Sequence, residues 1–159
     1  GEYTCFLNGN ENACTPEMFV RYAQIAALMP VMQFSASPWR VLPEADFQKV
    51  KAALALREKC LPEIFKAVEC AKVTGEPIAR SMEFVFPGQG MERVMDQFMV
   101  GEDLLVAPVW KQGEVARSVR LPEGQWRCVG LGETEGDVLN GGRDVILGEN
   151  EGLVVLKRV

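Results

Sequence analysis

The sequence predicts an α/β half over residues 1–97, with the pattern of part of a barrel, followed by an antiparallel β-sandwich over residues 98–159. Two observations predict this division. Apolar residues recur at helical spacing as far as Val73 and lead into a short strand, the order found in alternating α/β proteins. From Asp103 onward, short apolar strands alternate with turn residues, which is typical of antiparallel β structure.

Two helices are expected in the first half. Thr15 can cap a helix over residues 16–29 that opens on a proline and is followed by another proline. A second helix is expected over residues 44–73, with Gly75 as its stop. Pro62 lies inside that second helix, and it is expected to kink the helix or split it in two.

Strands are expected in both halves. Residues 104–110 and 115–121 flank a Lys-Gln-Gly-Glu turn and are expected to pair as a β-hairpin. Further strands are expected at residues 76–80, 126–129, 143–147 and 153–158. Trp110 and Trp126 stand at strand ends, where we expect them to fill the core between two sheets.

Composition narrows the classes of function. The chain has 159 residues, 48% of them hydrophobic, which is enough for a packed core. A net charge of -5 without a basic cluster argues against a nucleic-acid partner, and the apolar runs are too short to cross a membrane. Five scattered cysteines without a C-x-x-C pair suggest reduced thiols and a cytoplasmic location. The absence of histidine excludes Ser-His, Cys-His and His-based metal chemistry within the chain.

One long run of residues carries a family resemblance. The run is Asp96–Val109 (DQFMVGEDLLVAPV), followed by Gly113, Arg117, Leu121-Pro122, Gly124 and Trp126. It closely resembles a sequence characteristic of family 31 glycoside hydrolases. Phe19–Gln24 with Met29-Pro30 resembles the helix and loop after the seventh strand of that family's TIM (β/α)8 barrel. Arg57, Leu61-Pro62 and Gly75–Arg80 resemble its last barrel helix and eighth strand.

The resemblance implies a C-terminal portion of a retaining α-glycosidase, acting on α-glucosides or α-galactosides. Such enzymes use two aspartates on earlier barrel strands, and neither motif occurs here. The retaining mechanism requires two carboxyl groups about 5 Å apart, so the chain alone is expected to be inactive and to contain no catalytic residue. It implies no cofactor and no metal. The expected partners are a glycoside or oligosaccharide substrate and the remainder of the barrel.

Candidate sugar contacts follow from the same resemblance and from the position of barrel active sites at strand ends. They are Tyr3, Gln33, Ser35, Trp39 and Arg80. Many α-glucosidases of the family have an Arg and a sugar-binding His after this proline loop, whereas Ser35 stands here in the position of the His. The Gln-Phe-Ser pattern resembles a variant branch, so an α-galactoside is an alternative substrate. An aromatic face such as that of Trp39 can stack on a sugar ring.

Two alternatives to a piece of a larger enzyme are open at this stage. The chain could be a non-catalytic carbohydrate-binding or interaction protein that derives from the family. It could also be one subunit of a split glycosidase, in which a separate chain supplies the carboxylates. A barrel remnant with most strands missing would have open sheet edges in either case, and it should pair with something.

Overall fold

The computed structural model describes residues 14–129, 135–147 and 153–159. Its helices in these ranges are α1 (Pro16–Ala27), α2 (Pro38–Val41), α3 (Glu44–Thr74) and α4 (Met82–Val85). Its strands are β1 (Ala79–Ser81), β2 (Phe98–Val100), β3 (Leu104–Pro108), β4 (Arg117–Leu121), β5 (Gln125–Cys128), β6 (Val138–Asn140), β7 (Arg143–Leu147) and β8 (Leu153–Arg158). No helix in the described ranges is long and apolar enough to span a membrane.

The strands form two antiparallel sheets that pack face to face. The larger sheet has the order β1-β2-β3-β8-β5-β6, and the smaller consists of β4 and β7. Between them lies a core that includes Leu105, Leu156 and Trp126 from the larger sheet and Val119 and Leu121 from β4. The predicted β-sandwich is therefore confirmed.

The other face of the large sheet is covered by α3. Leu56, Ile64 and Ala67 of this helix pack in one cluster with sheet residues that include Val100 and Val106. Because successive side chains of a strand point to opposite faces, β3 contributes alternately to this cluster and to the inter-sheet core. A helix on one face and a sheet on the other explain why every residue of β3 is buried.

The helices begin and end much as the sequence predicts. The Thr15 hydroxyl accepts a hydrogen bond from the Met18 amide at 3.1 Å and caps α1, which ends two residues earlier than expected. Gly75 ends α3 with a φ of 76°, in the left-handed region that glycine adopts without strain. Pro62 does not divide α3, which is one helix of 31 residues. Residues on both sides of the proline, Cys60 and Ile64, pack against the sheet and hold the helix together.

The hairpin prediction is wrong in its pairing. Residues 104–108 and 117–121 do form strands, but β3 pairs with β2 and β8 whereas β4 pairs with β7, so no hairpin joins them. The Lys-Gln-Gly-Glu segment instead carries the chain from one sheet to the other. The strand predicted at 76–80 is β1, which pairs antiparallel with β2. In the described residues β1 is therefore an edge strand of the larger sheet, and its place as the eighth strand of a barrel stays a prediction.

The two tryptophans at strand ends have different environments. Trp126 is fully buried between the sheets, where its indole NH donates to the Pro122 carbonyl at 3.0 Å. Its ring meets the Phe86 ring edge to face. Trp110 is 57% exposed, so the expectation that it lies in the core is wrong. It follows the end of β3, where the chain leaves the sheet, and its ring is contacted by the Lys111 ammonium.

Candidate functional site

The loop that follows α1 carries two of the predicted sugar contacts. Along residues 31–36 the exposure alternates: the odd-numbered members Val31, Gln33 and Ser35 are exposed, and the even-numbered members Met32, Phe34 and Ala36 are half-buried. Alternation of this kind is found where one face of a chain segment is covered, although here the backbone bends at Val31, Ser35 and Ala36. Within the described residues, no backbone hydrogen bond joins residues 31–36 to another residue. The loop therefore presents the Gln33 and Ser35 side chains on a segment whose backbone has no backbone partner among residues 14–129, 135–147 and 153–159.

The inner face of this loop packs on α1. Phe34 stacks on Phe19 with ring centroids 6.1 Å apart and planes 2° apart. The two rings belong to a small core with Val20, Ala23 and Val50. An apolar groove opens beside them, and it is lined by Cys14, Met18, Phe19, Tyr22, Ala23, Ala26, Met32, Gln33 and Phe34. Met18 and Tyr22 are each more than half exposed, so one side of α1 presents an apolar surface.

The start of the loop is tied to α3 by Arg57. Its Nη1 donates to the carbonyls of Ala27 at 2.7 Å and Met29 at 2.6 Å, and its Nη2 donates to the Pro30 carbonyl at 3.2 Å. Carbonyls at the C-terminal end of a helix have no partner within the helix, and a cation there is also favoured by the helix dipole. One guanidinium thus satisfies the end of α1 and fixes where the loop begins.

Trp39 lies in the short helix α2, a few residues beyond Ser35. It is 67% exposed, and its neighbour Pro38 is buried. α2 packs against α3. The helix is anchored through the proline, and the indole ring remains available for contact from outside.

The predicted contact Arg80 has a different environment. The residue is 5% exposed, and its Nε donates to the Pro77 carbonyl at 2.8 Å. Its guanidinium pairs with Glu76 at 3.0 Å and Glu102 at 3.7 Å and lies over the Phe84 ring. These contacts hold β1 in place, and the role of Arg80 as a sugar contact stays a prediction. Tyr3 lies outside the described residues.

A second cleft lies between α3 and the turn from β2 to β3. Three carboxylates line it, and each has a cation: Glu63 pairs with Lys157, Glu102 with Arg80, and Asp103 with Lys66 at 2.5 Å. The hydrogen bond that Lys66 donates to the Asp103 carboxylate raises the pKa of the ammonium, and the charge of the same carboxylate adds to the effect. Two of these ion pairs, Glu63 with Lys157 and Lys66 with Asp103, join α3 to the larger sheet.

Another link joins α1 to the crossing segment, residues 109–116, which carries the chain from β3 in the larger sheet to β4 in the smaller. The Glu17 carboxylate accepts a hydrogen bond from the Gly113 amide at 2.8 Å and one from Arg21 at 3.3 Å. The Gly113 hydrogen bond is the main cause that lowers the pKa of Glu17, and Arg21 adds to it. The sequence did not predict this contact, nor the role of Arg57. The signal for Arg57 was a lone charged residue within the apolar stripe of α3.

The described residues hold no cluster of three or more acidic, cysteine or histidine side chains that could bind a metal ion. The side-chain donors in and beside the 28–36 loop are the Ser35 hydroxyl, the Gln33 amide and the Trp39 indole NH. Such groups can bind neutral polar ligands such as sugar hydroxyls.

Comparison with known proteins identifies the family. Residues 75–145 match the model of the glycosyl hydrolase family 31 C-terminal domain. Myogenesis-regulating glycosidase from Mus musculus is 38% identical over 112 residues, which cover 70% of this chain. The chain belongs to glycoside hydrolase family 31. A second family 31 relative, sulfoquinovosidase from Agrobacterium fabrum, is 31% identical over 159 residues and covers 91% of the chain.

The likeness to solved family 31 structures extends over both halves of the chain. A GH31 α-xylosidase from a soil metagenome, solved with xylose, superposes with a TM-score of 0.79 and 28% identity over 92% of this chain. The chain spans 25% of that structure. It spans 16% of the mouse glycosidase and 22% of the sulfoquinovosidase. The family 31 proteins that it matches are therefore several-fold longer.

Proposed function

We propose that this chain is the C-terminal portion of a retaining α-glycosidase that hydrolyses O-glycosyl bonds of α-glucosides or α-galactosides. The catalytic carboxylates lie outside the chain in this proposal. The observation that carries it is the exposure of the Gln33 and Ser35 side chains on the 28–36 loop and of Trp39, four residues beyond Ser35. Membership of glycoside hydrolase family 31 supports a glycoside as the substrate.

The remainder of a (β/α)8 barrel is the proposed partner of the α1 surface. Residues 31–36 have the alternation of a strand but no backbone partner within the described residues. Beside them Met18, Tyr22 and Val31 are more than half exposed. Unpaired strand edges and apolar faces of this kind are normally covered by another part of the protein. The cover is the rest of the barrel, either from the same parent chain or from a partner subunit.

The proposed division of labour follows from this arrangement. Gln33 and Ser35 can hydrogen-bond sugar hydroxyls, and Trp39 can stack on the apolar face of a sugar ring. The ion-paired carboxylates of the second cleft stabilise the junction of helix and sheet and take no part in hydrolysis. The sandwich supports the loop through α3. A cytoplasmic location is part of the same proposal, since buried Cys60 is a free thiol.

The test begins with the intact mass of the native polypeptide and with activity of the parent protein. A panel of 4-nitrophenyl α-glycosides (glucoside, galactoside, xyloside and sulfoquinovoside) identifies the sugar, and NMR of the first product gives the stereochemistry. We expect a parent several-fold heavier than this chain and hydrolysis with retention of the α-configuration. A native polypeptide of 17.6 kDa without a partner, or a parent inactive on the whole panel, would refute the proposal.

Two matched tryptophan variants test the sugar contact. Trp39→Ala is expected to raise KM for the preferred glycoside about tenfold, because a stacking contact contributes about 1 kcal/mol or more. Trp110→Ala removes an indole of similar exposure, 57% against 67%, at a different place on the chain. It should leave KM unchanged. Equal effects of the two substitutions would exclude Trp39 as a specific contact.

A further inference from the structure

We infer that Arg57 is a positioning residue that sets the conformation of the 28–36 loop and so the presentation of Gln33 and Ser35. The inference rests on the proposed function for its consequence in catalysis. Arg57 itself lies on α3 and contacts the start of the loop, so it acts through the loop rather than on a substrate.

The contacts of Arg57 are suited to this role. Its three hydrogen bonds reach the carbonyls of Ala27, Met29 and Pro30, which span the last residue of α1 and the turn that follows. In the described residues no carboxylate pairs with Arg57, so its charge faces carbonyl oxygens. Because the three acceptors lie within four consecutive residues, these hydrogen bonds fix the direction in which the chain leaves the helix.

The geometry requires a guanidinium. Nη1 serves two carbonyls and Nη2 serves the third, which uses the planar, forked arrangement of donors that arginine alone provides. A lysine at this position keeps the charge but has one compact ammonium on a flexible chain. It can replace the two bonds of one nitrogen at best, and the Pro30 carbonyl then has no protein donor.

The far end of the loop is fixed independently. The Phe34 ring stacks on Phe19 of α1 and lies between the two exposed side chains of interest. With Arg57 at one end and Phe34 at the other, the intervening residues have little freedom. Loss of the first anchor therefore changes the position of Gln33 more than that of Ser35.

The experiment compares two arginine-to-lysine substitutions in the full-length parent protein. Arg57→Lys loosens the loop, whereas Arg117→Lys is the control. Arg117, like Arg57, donates to backbone carbonyls, those of Asp96 at 2.5 Å and Pro108 at 2.8 Å, but it lies in the sandwich. It is buried, whereas Arg57 is half-buried, and it also pairs with the Asp96 carboxylate. Amide hydrogen exchange is measured by mass spectrometry over residues 28–36 and over β4. KM and kcat are measured on the preferred glycoside.

Within the 28–36 loop the amides of Leu28 and Met29 donate to the carbonyls of Ile25 and Ala26. We expect Arg57→Lys to speed exchange of these two amides about tenfold and to raise KM about tenfold, with kcat within about twofold. Arg117→Lys should speed exchange in β4 and leave both KM and the 28–36 loop unchanged. Unchanged exchange in 28–36, or a KM change shared by both variants, overturns the inference. A wild-type parent that is inactive on every glycoside overturns the proposed function instead, and hydrogen exchange still decides the role of Arg57.

Discussion

Replacing Gly101 by alanine is expected to lower the free energy of unfolding by about 2 kcal/mol. Gly101 opens the turn from β2 to β3 with a φ of 61°, and a Cβ there would lie 3.1 Å from the Cβ of Ala67 on α3. The left-handed backbone contributes about 1 kcal/mol of this cost for a residue with a Cβ. The forced separation of α3 from the turn contributes about another 1 kcal/mol.

Gly75→Ala is the matched control for this experiment. Gly75 has a similar φ of 76°, but nothing lies within 4 Å of an added Cβ, so only the backbone cost of about 1 kcal/mol is expected. Urea unfolding followed by circular dichroism gives both values. An equal loss of unfolding free energy in the two alanine variants would refute the argument that α3 packs too closely on the turn to admit a Cβ at position 101. A double variant with Ala67→Gly should show a favourable coupling of about 1 kcal/mol.

Three further predictions concern other parts of the chain. Trp126→Ala should cost about 3–5 kcal/mol in the same urea assay, because it empties the inter-sheet core; a loss below 1 kcal/mol would contradict that position. Glu17 has a lowered pKa in the folded chain, so its contribution to stability is present above its ordinary value of 4.5 and is lost as the pH falls through the folded value. Glu17→Gln should therefore destabilise the protein at pH 7 and have less effect at progressively lower pH; a pH-independent effect would refute the link to Gly113. Burial raises the pKa of the Cys60 thiol to about 11, so iodoacetamide at pH 8 should alkylate it only after denaturation, as mass spectrometry can show.

Much of the secondary structure could be predicted from local signals. The Thr15-Pro16 start of α1 and the Gly75 end of α3 are backbone requirements that a few residues encode. The bounds of β7 and β8 match the prediction because each contains a run of consecutive apolar residues, Val145–Leu147 and Leu153–Leu156. Local signals of this kind give the position of an element along the chain.

The partners of the strands could not be predicted from those signals. A Lys-Gln-Gly-Glu turn shows that the chain changes direction, but β4 enters a different sheet because β2 and β8 already pair with the two edges of β3. The pairing of β1 depends on β2, about twenty residues further along the chain. The three hydrogen bonds of Arg57 also depend on tertiary packing, since the acceptors lie 27 to 30 residues away. The exposure of Gln33, Ser35 and Trp39 agrees with the roles expected for them, and those roles stay predictions.

The unbroken course of α3 through Pro62 constrains how the length of this chain can vary in evolution. The helix directs Arg57 toward α1, and ten residues later it directs Ala67 toward Gly101. Each inserted or deleted residue between them would rotate one of these contacts about 100° around the helix axis relative to the other. Insertions in this stretch should therefore be absent from functional homologues. The crossing segment between β3 and β4 has no such angular requirement and can change in length.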